Sequence, residues 1–230
     1  MELAIDTSNE IASAAVAQKG RPIAEVTWRA GYNHTATLLD NVVHILRCAR
    51  GTLRDVDTLV VAKGPGSFNG VRVAISCCKG LSMALGIPLV GVGTLEVEAF
   101  PYADTLLPIC PVMEAGKGDL ATALFHLRNG EWQRLREERI RTLEELVSET
   151  ADTTLFCGNI SRELHLQLTE SLGHKARVVH SPAGVRRAGY LAQLGWMRIQ
   201  RGELDQLGSL QPLYLKRPSI TVSRKSGGLG

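Results

Sequence analysis

Four apolar residues, Leu59-Val60-Val61-Ala62, run straight into Lys63-Gly64-Pro65-Gly66-Ser67-Phe68-Asn69-Gly70, and from Val71 to Leu85 nearly every residue is apolar or small. An unbroken apolar run of that length fits a strand buried on both faces, as in parallel sheets. The glycines allow a sharp turn. The stretch after them reads as a helix covered on more than one side. Gly86-Ile87-Pro88 ends it, and Leu89-Val90-Gly91-Val92 reads as another short strand. The order strand, glycine-rich turn, helix, strand places the chain in the α/β class. Gly80, in the middle of the helix, costs about 1 kcal/mol relative to alanine, which makes sense where a second helix approaches closely.

Upstream, Leu3-Ala4-Ile5 is a short strand that stops at the turn-favouring Asp6-Thr7-Ser8-Asn9. Ile11 to Ala17 and Ile23 to Trp28, separated by Lys19-Gly20-Arg21-Pro22, complete a three-strand meander. Beyond Asn33, a candidate N-cap, Leu38, Leu39, Val42, Val43, Ile45 and Leu46 recur at helical spacing. The second half repeats the alternation more weakly. Strands are expected over Leu106 to Met113, Ala121 to Leu127 and Leu155 to Cys157. Helices are expected over Arg141 to Glu149, Arg162 to Leu172, and from Pro182-Ala183 to about Arg201. Glu137-Glu138 and Glu144-Glu145 read as solvated faces of charged helical stretches. Residues 1–104 are expected to form one lobe and 105–218 a smaller second one, with 219–230 a fraying tail.

With 230 residues, 44% apolar and 21% charged, the chain is long enough for a real core and far from the composition of disorder. A net charge of +3 is too mild to be a footprint for nucleic acid. The five cysteines contain no C-x-x-C pair and are expected to be reduced and buried, as in the cytoplasm. The opening residues lack the pattern of a signal peptide. Nowhere does an uncharged apolar run reach the roughly 18 residues of a membrane span.

Two elements carry candidate chemistry. Glycines between a strand and a helix can expose backbone amides to an anion, so Gly64, Gly66, Ser67 and Gly70 are candidate nucleotide contacts, with Arg72 as a possible anion partner. The spacing matches neither the dinucleotide fingerprint nor the Walker loop, and a tight turn explains the same glycines. Asp6, Thr7 and Ser8 sit at a strand end, where a carboxylate could hold hydrated magnesium; an Asx or Ser/Thr turn is the plainer reading. No two of the six histidines fall four apart on one helix face, so no metal site is expected. The G-x-S-x-G elbow of hydrolases does not occur, and no catalytic residue is assigned.

Taken together, Leu3-Ala4-Ile5-Asp6-Thr7-Ser8, His34 with Leu38-Leu39, and Gly64 through Arg72 resemble the bacterial TsaB (YeaZ) family. The likeness continues through Lys79-Gly80-Leu81, Leu95-Glu96 and Met113 to Lys117, and on to Pro212-Leu213-Tyr214-Leu215-Lys216. Asn69 stands where the family usually has threonine, and Glu114 and Gly116 where it has aspartate and arginine. The resemblance implies a two-lobed actin-like ATPase (ribonuclease H-like) fold with mixed sheets flanked by helices. It also implies a part in making threonylcarbamoyladenosine next to the anticodon of tRNA, in the cytoplasm. Catalysis would belong to a larger paralogue, TsaD, whose metal-binding H-x-x-x-H pair falls on Thr94 and Glu98 here. No cofactor is then required by this chain, with ATP or ADP and a metal held by partner subunits. TsaD would be the direct partner, the TsaE ATPase would join through the complex, and tRNA would be met indirectly, with a homodimer as a competing state. His34, Leu38, Val42, Val71, Ala74, Cys78, Gly80 and Leu81 are the expected contact residues on the two helices. An ATP-dependent phosphotransferase of the same fold, using Asp6 and the glycine loop, is the alternative, and a peptidase a weaker one.

Overall fold

In the computed structural model, which describes residues 1–31, 33–179 and 185–216, the chain builds two five-stranded mixed sheets on one plan. In the first sheet β1 (Glu2–Asp6) is central. On one side it pairs antiparallel with β2 (Ile11–Gln18), which pairs with β3 (Arg21–Arg29). On the other side lie parallel β4 (Thr58–Ala62) and β5 (Leu89–Val92). The second sheet repeats this layout. Its central β6 (Ile109–Glu114) has antiparallel β7 (Leu120–Arg128) and β8 (Glu131–Arg141) on one side, and parallel β9 (Thr154–Asn159) and β10 (Ala176–Val178) on the other.

Strand alternation decides what each face of the first sheet meets. Leu3 and Ile5 of β1 and Leu59 and Val61 of β4 pack with α1 (His34–Cys48) and α2 (Phe68–Leu85). Ala4, Val60, Val90 and Val92 face the other way, onto a core shared with the second sheet. Two helices cross between the sheets. α3 (Thr94–Ala99) follows a strand of the first sheet and packs on the second, whereas α6 (Ala188–Gln200) comes late in the chain and packs on the first. The outer face of the second sheet is covered by α4 (Leu143–Ser148) and α5 (Arg162–Leu172), whose Leu146, Leu164 and Leu168 pack over Cys110, Val112, Leu120 and Phe156.

Several boundaries differ from expectation for identifiable reasons. β6 begins at Ile109, because residues 100–105 wind into 3-10 turns that open on a proline. The charged run with Glu137-Glu138 is not helical. It lies in the edge strand β8, whose arginines and glutamates alternate outward and toward neighbours, and Glu138 is buried against Arg134. The helix expected from Arg141 shrinks to α4, set by a capping box in which Thr142 and Glu145 bond each other's backbone amides. α6 starts at Ala188; Pro182-Ala183 and the tail from 219 lie outside the described residues. No helix among the described residues is long and apolar enough to cross a membrane.

Candidate functional site

β1 carries Asp6 on the same face as Ala4, toward the second sheet, and the chain then turns sharply. The Ser8 amide and hydroxyl both donate to Asp6 Oδ1, at 2.8 and 2.5 Å. The other carboxylate oxygen accepts from Arg186 Nε at 2.9 Å. Arg186 precedes α6, and its guanidinium reaches three partners. Besides Asp6 it donates to Ser8 Oγ at 2.7 Å and to Glu98 Oε2, on α3, at 3.4 Å. All four side chains are buried. Burial pushes the Asp6 carboxyl up, but the Arg186 charge and the Ser8 bonds outweigh it, and the pKa lies below the usual carboxylate value. At Glu98 burial wins over Arg186, and the pKa is raised. The centre between the two sheets therefore holds a buried arginine paired with two carboxylates.

The glycine loop is tied to the same turn. Thr7 Oγ1 donates to the Gly70 carbonyl and the Ser67 amide to the Ser8 carbonyl, each at 2.7 Å. A Cβ at Gly66 or Gly70 would land on the carbonyl oxygen of Ser8 or Thr7. Gly64, at φ +101°, lies against the Leu213 carbonyl. These glycines are spent on close backbone packing. Ser67 also caps α2 by accepting from the Gly70 amide. Beside the loop, a cavity of about 580 Å³ is lined by Ser8, Gly66, Ser67, Phe68, Met113 and Tyr214, among others. Phe68 stacks on Tyr214 with centroids 5.1 Å apart, and the Arg72 guanidinium lies 4.3 Å above the Phe68 ring. Lys216 pins the turn after β6 through Asp119 and the Ala115 carbonyl.

Of the residues singled out in the sequence, Asp6 and Ser8 meet at the charged centre, Thr7 and Gly70 bond each other, and Arg72 is directed onto Phe68. Thr94 and Glu98 both lie on α3. Glu98 reaches the centre, and the Thr94 hydroxyl is buried with no hydrogen-bond partner among the described residues. Six of the eight expected contact residues, His34, Leu38, Val42, Val71, Ala74 and Cys78, belong instead to the chain's own core, because the apolar stripes of α1 and α2 are used against the first sheet. For His34 burial lowers the pKa against the pull of Asp6. Leu81 is half-buried, and Gly80 is exposed with open space around it. Exposed apolar side chains on these helices are Leu39, Val43, Phe68 and Met83, the last 73% exposed. Sequence reading missed Arg186. A buried aspartate demands a counter-charge, but nothing local says which of the chain's arginines provides it across 180 residues.

Two mixed sheets with a central strand pair and helices exchanged between them define the actin-like ATPase class, here with an arginine at the interlobe centre. A ROK hexokinase from Thermus thermophilus shares the fold at TM-score 0.54 and 11% identity, over 87% of this chain and 99% of that one. The YeaZ structure from Pseudomonas aeruginosa superposes at TM-score 0.78 with 25% identity, over 93% of this chain and 99% of that one. The family model described as TsaD, tRNA N6-adenosine threonylcarbamoyltransferase, matches residues 28–171. The tRNA threonylcarbamoyladenosine biosynthesis protein TsaB of Bacillus subtilis is 31% identical over 93% of both chains. Its namesake in Haemophilus influenzae is 34% identical over 98% of this chain and 97% of that one. The chain belongs to the TsaB (YeaZ) family of tRNA threonylcarbamoyladenosine biosynthesis proteins.

Proposed function

We propose that this chain is a non-catalytic subunit that binds a TsaD-type transferase and supports its modification of tRNA. The observation that carries the reading is Arg186. Its guanidinium occupies the interlobe centre and bonds Asp6, Ser8 and Glu98, so the position where an enzyme of this fold would organise a phosphate and its cation is filled from within. Thr94 and Glu98 supply a hydroxyl and a carboxylate where the transferase pattern has two imidazoles, a poor pair for a transition metal. ATP or ADP and the metal then belong to partner subunits, with the TsaE ATPase joining through the complex and tRNA met indirectly.

The outward faces of α1 and α2 supply the contact. Leu39 and Val43 are one turn apart on α1, and Gly80 and Met83 are neighbours on α2. A Cβ at Gly80 would meet nothing within 4 Å among the described residues, so its helix cost is offset where a partner approaches closely. A second copy of the chain competes for the same surface.

The test mixes the purified chain with its cognate TsaD and assays tRNA threonylcarbamoylation with and without it, following assembly by gel filtration. Product should depend on this chain, and Met83→Glu or Gly80→Arg should abolish co-elution while leaving the chain folded. Equal product in its absence refutes the reading. ATP turnover by the isolated chain that disappears in Asp6→Ala refutes it in favour of the phosphotransferase.

A further inference from the structure

On the far side of the molecule, three arginines of the edge strand β8 converge on a single carboxylate. Glu149, just after α4, accepts from Arg136 at 3.0 Å and Arg141 at 2.5 Å on one oxygen, and from Arg139 on the other. Arg136 also donates to the Glu149 main-chain carbonyl at 3.0 Å. Behind them lies a cavity of about 90 Å³, lined by Arg128, Arg136, Arg141, Glu149 and Asp152 with Cys110 and other apolar groups. That is room for a few water-sized groups, such as the oxygens of one phosphate. Glu137 and Glu138, although on the same strand, turn to Arg134 and leave this cluster alone. Three guanidiniums therefore converge on one carboxylate.

Fixing α4 to β8 does not require this surplus. Arg136 holds both the Glu149 side chain and its carbonyl, and Arg141, 3% exposed, anchors the same carboxylate from within. Arg139 is 53% exposed and adds a third cation to an acid already paired twice. Arg141 Nε is buried with no hydrogen-bond partner among the described residues, beside the cavity that Arg141 lines. A planar fork of donors matches a tetrahedral oxyanion better than a carboxylate shared three ways. We propose that the Arg136, Arg139 and Arg141 cluster is a phosphate-binding site, in which Glu149 is a resident anion that a phosphate group displaces or joins. The phosphate comes either from an RNA backbone or from a free phosphate. The site lies apart from the interlobe centre and does not depend on the accessory role.

The test uses the full chain with two probes: inorganic phosphate followed by 31P NMR, and a fluorescent 20-nucleotide RNA followed by anisotropy across a salt series. Arg139→Ala should weaken binding about tenfold, as expected for a charge-assisted contact, and Glu149→Gln should strengthen it. Saturable phosphate binding that weakens by about tenfold in Arg139→Ala assigns the site to free phosphate. RNA binding whose salt slope falls by about one in Arg139→Ala, without binding of inorganic phosphate, assigns it to the RNA backbone. Binding of neither probe, or affinities unchanged in both Arg139→Ala and Arg139→Glu, overturns the proposal.

Discussion

Replacing Arg186 with methionine keeps most of its volume and removes its charge, leaving Asp6 and Glu98 buried without their cation. Removing one member of a buried ion pair costs about 3–5 kcal/mol, because the remaining charge has neither water nor partner. For a chain of this size the melting temperature should fall by roughly 6–20 °C. The pH dependence carries a second signature. In the native chain the Asp6 pKa is depressed, so its stabilisation is present above the ordinary carboxylate value of 3.8 and is lost as pH falls through the lower folded value. Glu98, with a raised pKa, has the opposite sign and favours folding as pH falls through its folded value. Without Arg186, burial dominates at both acids and raises both. The stability gap between native and Arg186→Met should therefore be widest near neutral pH and narrow as pH falls toward about 4. Adding Asp6→Asn and Glu98→Gln to Arg186→Met should recover much of the loss, since a neutral centre has no stranded charge. Urea denaturation of the three proteins at several pH values measures all of this. A loss below about 1 kcal/mol at pH 7, or a larger loss that neither narrows with acid nor shrinks in the triple variant, would refute the reasoning.

Glycine substitutions should split by position. Gly70→Ala places a Cβ on the Thr7 carbonyl oxygen and should cost several kcal/mol in denaturant melts. Gly80→Ala meets nothing and should stabilise the isolated chain by about 1 kcal/mol. Thr142→Ala removes half of a capping box and should cost about 1 kcal/mol, seen as a 2–4 °C fall in melting temperature. Native-state thiol titration should show one fast group, Cys48, which is exposed. Burial pushes the Cys110 thiol up to about 12, holds Cys78 and Cys157 well above the ordinary thiol value, and raises the half-buried Cys77 as well. Cys48→Ser should remove the fast phase, and a fast phase that persists refutes the assignment.

Local pattern in the sequence carries the meander, both major helices of the first sheet, the parallel strands at its centre and the glycine turn. Each of these depends on neighbours within a few residues: apolar period, turn chemistry and helix stops. The family resemblance was likewise legible in Asp6 to Ser8 and Gly64 to Arg72. Edge strand β8 was not, because its charged residues face solvent and ion-pair partners on both sides and leave no apolar alternation to read. The direction of the α1 and α2 side chains was also hidden, since the same apolar stripe serves a sheet or a partner until one knows which lies beneath it. Arg186 depends wholly on tertiary structure. The exchange of α3 and α6 between the sheets brings Glu98, Asp6 and Arg186 together from three distant parts of the chain. Only that crossing decides that the centre is closed by an arginine, because electrostatic partners are chosen by distance in space and not along the chain.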